Sequence, residues 1–107
     1  MSFEEFIEWA EGAVIDWQEL PTLGRRSRFH TKYDLQRRSM IVGNSQGQEY
    51  ALSREALSKI FERYITAPGE QIHRANYYTD PIWPETPHRI AAPYIPALLR
   101  YWAESCQ

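Results

Sequence analysis

The stretch GRRSRFHTKYDLQRR, residues 24 to 38, holds six of the chain's twelve Lys and Arg residues. Arg28, His30 and Lys32 alternate there with Phe29, Thr31 and Tyr33, while Arg25 and Arg26 precede them and Arg37 and Arg38 follow. If the apolar set faces a core, the cations project together from the opposite side of a strand. Several cations in one surface region suit phosphates, because each phosphate neutralised releases condensed counterions and the gains accumulate. The plainer reading is a solvated hairpin face whose charges answer the acidic residues of the same molecule.

A second chemistry rests on His30, His73 and His88, with Arg74, Arg89, Tyr77 and Asp80 in the same sequence regions. Two imidazoles and a cation can cleave RNA without a metal, one taking the 2′-hydroxyl proton and the other protonating the leaving oxygen. The sequence has no glycine-rich phosphate loop, nucleophile elbow, HExxH motif or spaced carboxylate cluster to point to another reaction. His73, Asp80 and His88 match no metal-ligand spacing, and the single cysteine, Cys106, forms neither an internal disulfide nor a cysteine-based metal site. No cofactor, metal site or catalytic residue is assigned on this basis.

A third candidate is the connection from Gly69 to Ala92, where prolines and aromatics concentrate around Tyr77, Tyr78 and Trp83. A structureless loop of more than about 15 residues in a compact domain is often functional. Trp83 between Pro81 and Pro84 would make a stiff anchor for a partner protein, with Tyr77 and Tyr78 beside it. The competing reading has these rings wrap back over the core.

The net charge of −2 conceals a polar arrangement: residues 1 to 20 carry −6, residues 21 to 40 carry +5, and residues 41 to 107 carry −1. Such asymmetry bears on partners rather than on fold. A hydrophobic share of 43% with 14% aromatic residues is that of an ordered globular chain, and 107 residues fit one domain spanning 1–107. No apolar run reaches the ~18 residues a membrane span needs, and MSFEEFIEWAEG lacks the basic flank of a secretory signal, so the expected setting is the cytoplasm with no membrane partner.

The elements that must position these residues follow from periodicity. Phe3, Phe6, Ile7, Ala10, Ala13, Val14 and Trp17 predict one face of a helix over residues 3 to 18, capped by Ser2 with Glu5 and stopped by Pro21 and Gly24. Phe29 to Leu35, Met40 to Val42 and Glu49 to Leu52 predict a three-stranded antiparallel meander. Ser53 caps a second helix with Leu57, Ile60, Phe61 and Tyr64 inward, ending at Pro68-Gly69, and a last helix starts at Pro93 with Ile95, Leu98, Leu99 and Trp102 inward. The expected fold is α+β in the order α-β-β-β-α-long loop-α. The expected function is a non-catalytic module that contacts RNA or DNA phosphates within a larger complex. The alternatives are an interaction subunit or inhibitor docking on a protein of a nucleic-acid-processing complex, through the acidic first helix or the proline-rich loop, and a small metal-independent ribonuclease.

Overall fold

The computed structural model describes residues 2–24, 27–78 and 91–105. Helix α1 (Phe3–Ala13) begins where Ser2 Oγ accepts a hydrogen bond from the Glu5 N–H at 3.2 Å, and it buries Phe6, Ile7 and Ala10. The helix stops well short of residue 18. Gly12 and the β-branched pair Val14-Ile15 weaken helical continuation, and the chain has a competing partner. The Val14 carbonyl accepts a 2.6 Å hydrogen bond from the Tyr33 N–H, and residues 18 to 21 then pair with the strand that contains Tyr33.

That pairing adds a strand which sequence periodicity does not predict. β1 (Gln18–Pro21), β2 (Arg28–Asp34), β3 (Ser39–Gly43) and β4 (Glu49–Ser53) form one antiparallel sheet in sequential order, so the sheet has four strands and not three. Pro21, read from sequence as a helix stop, closes an edge strand, where a missing N–H is tolerated. In β2 the alternation holds as expected, with Phe29, Thr31 and Tyr33 buried. Leu35 departs from it and is 49% exposed. The strand ends one residue earlier, because Asp34 Oδ1 accepts from the N–H groups of Gln36 and Arg37 at 3.0 and 3.2 Å and bends the chain into the turn. The β3–β4 turn is held similarly by Asn44 Oδ1, which accepts from Gln46 and Gln48, with Gly47 at φ +82°.

Helix α2 (Arg54–Ile65) starts at the expected cap, where Ser53 Oγ accepts from the Ala56 N–H. It buries Leu57, Ile60, Phe61 and Tyr64 as the periodicity requires. A 3-10 turn (Gly69–His73) and the single-turn α3 (Ala75–Tyr78) follow, so the first part of the connection is structured. Helix α4 (Tyr94–Ser105) turns Ile95, Leu98, Leu99 and Trp102 inward. The three long helices meet around Phe6, whose ring lies 5.4 Å from Trp102 and 6.2 Å from Phe61 between centroids. They cover one face of the sheet, with α4 on β1, α1 on β2, and α2 on β3 and β4.

Three buried phenols, Tyr33, Tyr64 and Tyr78, sit within this helix-covered side. Desolvation is the main cause raising the pKa of each above the ordinary tyrosine value; a Glu11 charge adds to it at Tyr33 and a Glu104 charge at Tyr64, while nearby arginines oppose it. A phenol raised in this way holds its proton more tightly folded than unfolded, so its contribution is complete below the unfolded value near 10 and is lost as pH rises through the folded value. Thermal denaturation midpoints should therefore be flat with respect to these groups below about pH 9 and fall above about pH 10. In Tyr78→Phe, which removes a hydroxyl donating to the Ile72 carbonyl at 2.8 Å, the alkaline fall should be shallower and the neutral-pH stability lower by about 1 kcal/mol. An unchanged alkaline slope in that variant would contradict the assignment.

Candidate nucleic-acid interface

No helix among the described residues packs on the second face of the sheet, and register determines what that face presents. Glu19 and Pro21 of β1, Arg28, His30, Lys32 and Asp34 of β2, Ser39, Ile41 and Gly43 of β3, and Glu49, Ala51 and Ser53 of β4 all point to this side. Strand pleating therefore brings Arg28, His30 and Lys32 together, as their spacing requires.

The centre of the face is a small aromatic cluster. His30 lies directly opposite Gly43. A Cβ built on Gly43 would overlap the His30 imidazole, so the ring rests on the glycine backbone, a seat that no other residue provides. Trp17, between α1 and β1, meets this imidazole edge to face with centroids 4.8 Å apart, and Lys32 Nζ stands 4.8 Å from the Trp17 ring centroid. Ile41 is only 7% exposed yet lies outside the main core, on this second face next to Lys32. Trp17 itself remains 43% exposed.

The remaining charges are held in exposed pairs. Arg28 Nε donates to Glu19 Oε1 at 2.8 Å, with the two side chains 58% and 66% exposed, and Arg28 Nη2 also donates to the Glu19 carbonyl. Arg37 stands 3.7 Å from Asp34. Arg38 occupies the left-handed region at φ 51° in the same turn, and its charge, with that of Arg54, opposes the upward shift of the Tyr33 phenol. The basic stretch is thus divided: Arg28, His30 and Lys32 share the open face, and Arg37 and Arg38 cluster at the β2–β3 turn. Arg25 and Arg26 lie outside the described residues.

The other candidates separate. Tyr78 is fully buried, with its hydroxyl bonded to Ile72, so its ring belongs to the core rather than to an exposed anchor. Tyr77 is half-buried under the Arg63 guanidinium, 4.0 Å from its ring, and its carbonyl accepts from Arg63 Nε. Trp83, Asp80, His88 and Arg89 lie outside the described residues. His73 is exposed at the end of the 3-10 turn, next to Ile72, which packs against the core, and no contact joins it to His30 among the described residues. Among the described residues no three His, Cys, Asp or Glu side chains form a metal-ligand group, and no helix is long and apolar enough to cross a membrane.

Sequence reasoning missed Trp17 and Gly43. Trp17 falls three residues after Val14 and so fits the helical stripe, while Gly43 looks like the first residue of a turn. The informative signal was the pairing register, which places His30 directly across from Gly43 and so within reach of Trp17. Gly43→Ala should cost about 1 to 3 kcal/mol in chemical denaturation, because the new methyl displaces the imidazole. In the background of His30→Ala that cost should largely disappear; equal costs in both backgrounds would contradict the seat.

Compared with known proteins, the chain gives no significant match to a protein-family model, a curated protein or a solved structure.

Proposed function

We propose that this chain is a non-catalytic binding module that contacts nucleic-acid phosphates through the β2 hairpin, as part of a larger complex. The observation that carries the reading is the outward register of Arg28 and Lys32 on a sheet face free of described helices, on the strand that joins the two arginine pairs in sequence. The Arg28–Glu19 pair is solvent-exposed, and pairs of that kind are worth only about 0.2 to 1 kcal/mol. A phosphate can therefore displace Glu19 from Arg28 at small cost. Arg37, whose side chain is 71% exposed, can exchange its 3.7 Å partner in the same way.

A second reading draws on α1, whose outer face carries Glu4, Glu5, Glu8 and Glu11, all exposed. A ridge of carboxylates can act as a nucleic-acid mimic toward a basic partner protein, although Glu4 is already tied to Arg54 at 2.5 Å. The two readings use opposite poles of the molecule. The ribonuclease reading needs two imidazoles on one phosphate; no contact joins His30 to His73 among the described residues, and His88 lies outside them.

In a binding series against a single-stranded oligonucleotide at increasing salt, Arg28→Ala with Lys32→Ala should weaken binding and lower the slope of log K against log salt by roughly 0.7 for each phosphate no longer neutralised. Both positions are on the sheet surface, so far-ultraviolet circular dichroism should be unchanged. A variant that binds as tightly as the parent, with the same slope, would reject the phosphate assignment.

A further inference from the structure

The fold leaves a tryptophan open on the face that carries the cations, and this arrangement needs an explanation. Indole is among the largest apolar surfaces a side chain can bury, yet Trp17 keeps 43% of its surface in solvent. Its position is not loose. The imidazole of His30 packs against it from one side and is itself seated on Gly43, and Lys32 Nζ lies over the ring, so three residues on two neighbouring strands hold its orientation. Two further apolar side chains are exposed, Ile15 at 48%, two residues before Trp17, and Leu35 at 49%, just past the end of β2. Both line a shallow cleft of about 320 Å³ whose other walls include Lys32, Asp34 and Gln36. A packed but exposed indole, a flanking cleft of mixed lining and a cation shared by both make up one continuous surface.

We propose that this surface is a stacking platform for single-stranded nucleic acid, in which Trp17 takes the π-face of one unpaired base and Lys32 and Arg28 hold the flanking phosphates. The proposal rests on the phosphate-binding reading above and adds the class of ligand. Unpaired bases offer their faces to an aromatic side chain, whereas in a duplex those faces are already stacked on each other. Lys32 serves both functions because it stands over the Trp17 ring and also lines the cleft, where the next base can lie against Ile15 and Leu35. The charge of the face is mixed, with Glu19, Asp34 and Glu49 beside Arg28, His30 and Lys32, but Lys32, the cation at the ring, holds no carboxylate among the described residues and is left for an anionic chain. The ring needs no reorganisation on binding, since His30 and Gly43 already fix it.

The test uses the unmodified protein with three labelled probes of equal length: a single-stranded oligonucleotide, the same backbone with abasic sites, and the matching duplex. Fluorescence anisotropy should show the base-containing single strand bound about tenfold or more tightly than the abasic strand, as base–aromatic stacking provides. The duplex should bind no better than the abasic strand. Trp17→Ala should reduce the single strand to the abasic level while leaving the salt slope unchanged, and Trp17→Phe should recover most of the difference. Equal affinity for base-containing and abasic strands, with binding intact, would overturn the stacking platform and leave the phosphate contacts standing. Tighter binding of the duplex would overturn it as well. If none of the three probes bound, both the platform and the phosphate reading would fall.

Discussion

The backbone bond from the Tyr33 N–H to the Val14 carbonyl, at 2.6 Å, is where α1 hands the chain to the sheet. A helix continued to residue 18 would have left the outer edge of β2 with unpaired donors and acceptors, a row that costs free energy unless water or another strand satisfies it. By leaving the helix at Val14, the chain supplies that strand itself. Gln18 to Pro21 pair with Arg28 to Thr31, Leu20 enters the core opposite Phe29, and α4 gains a strand to pack on. The same exit carries Trp17 around to the far side of the sheet, where a longer helix would have directed it to the core. The four-stranded sheet and the open aromatic cluster are thus consequences of one hydrogen-bonding choice.

The two faces of the sheet then follow different physics. On the helix side, apolar burial dominates: Phe6, Phe61 and Trp102 meet at ring distance, and Thr31 is tolerated at zero exposure because its hydroxyl donates to the Ile41 carbonyl at 2.8 Å. On the open side the contacts are mixed. Ile41 is sheltered within a surface of polar and aromatic side chains, His30 rests on glycine, and the arginines hold exposed partners that a stronger anion can displace. A face built this way is ordered without being closed, which suits recognition of an extended chain.

Much of this was legible in the sequence where a pattern extended over enough residues. The β2 alternation, the apolar stripes of α2 and α4, and the serine caps at Ser2 and Ser53 all depend on local chemistry and are found as expected. β1 was not legible, because four residues with a single buried side chain, Leu20, are too few to show a period, and Pro21 carries an equally good helix-stop meaning. Trp17 misled because its spacing from Val14 is helical; only a long-range pairing overrides that phase. The seat of His30 on Gly43 depends on a register between strands, and the Arg28–Glu19 pair on a strand that periodicity did not reveal. Local order was written in neighbouring residues, and the candidate site was written in pairings between distant ones.

The central claim is that the second face of the sheet, and not the acidic helix, meets nucleic acid. Two-dimensional amide spectra of isotope-labelled protein titrated with a short single-stranded oligonucleotide test it most directly. The account predicts that the Trp17 indole N–H and the amides of His30, Lys32 and Gly43 shift together and saturate at one ligand ratio, while those of Glu4 to Glu11 on α1 stay in place. Shifts confined to α1, or a spectrum that does not change at all, would contradict it.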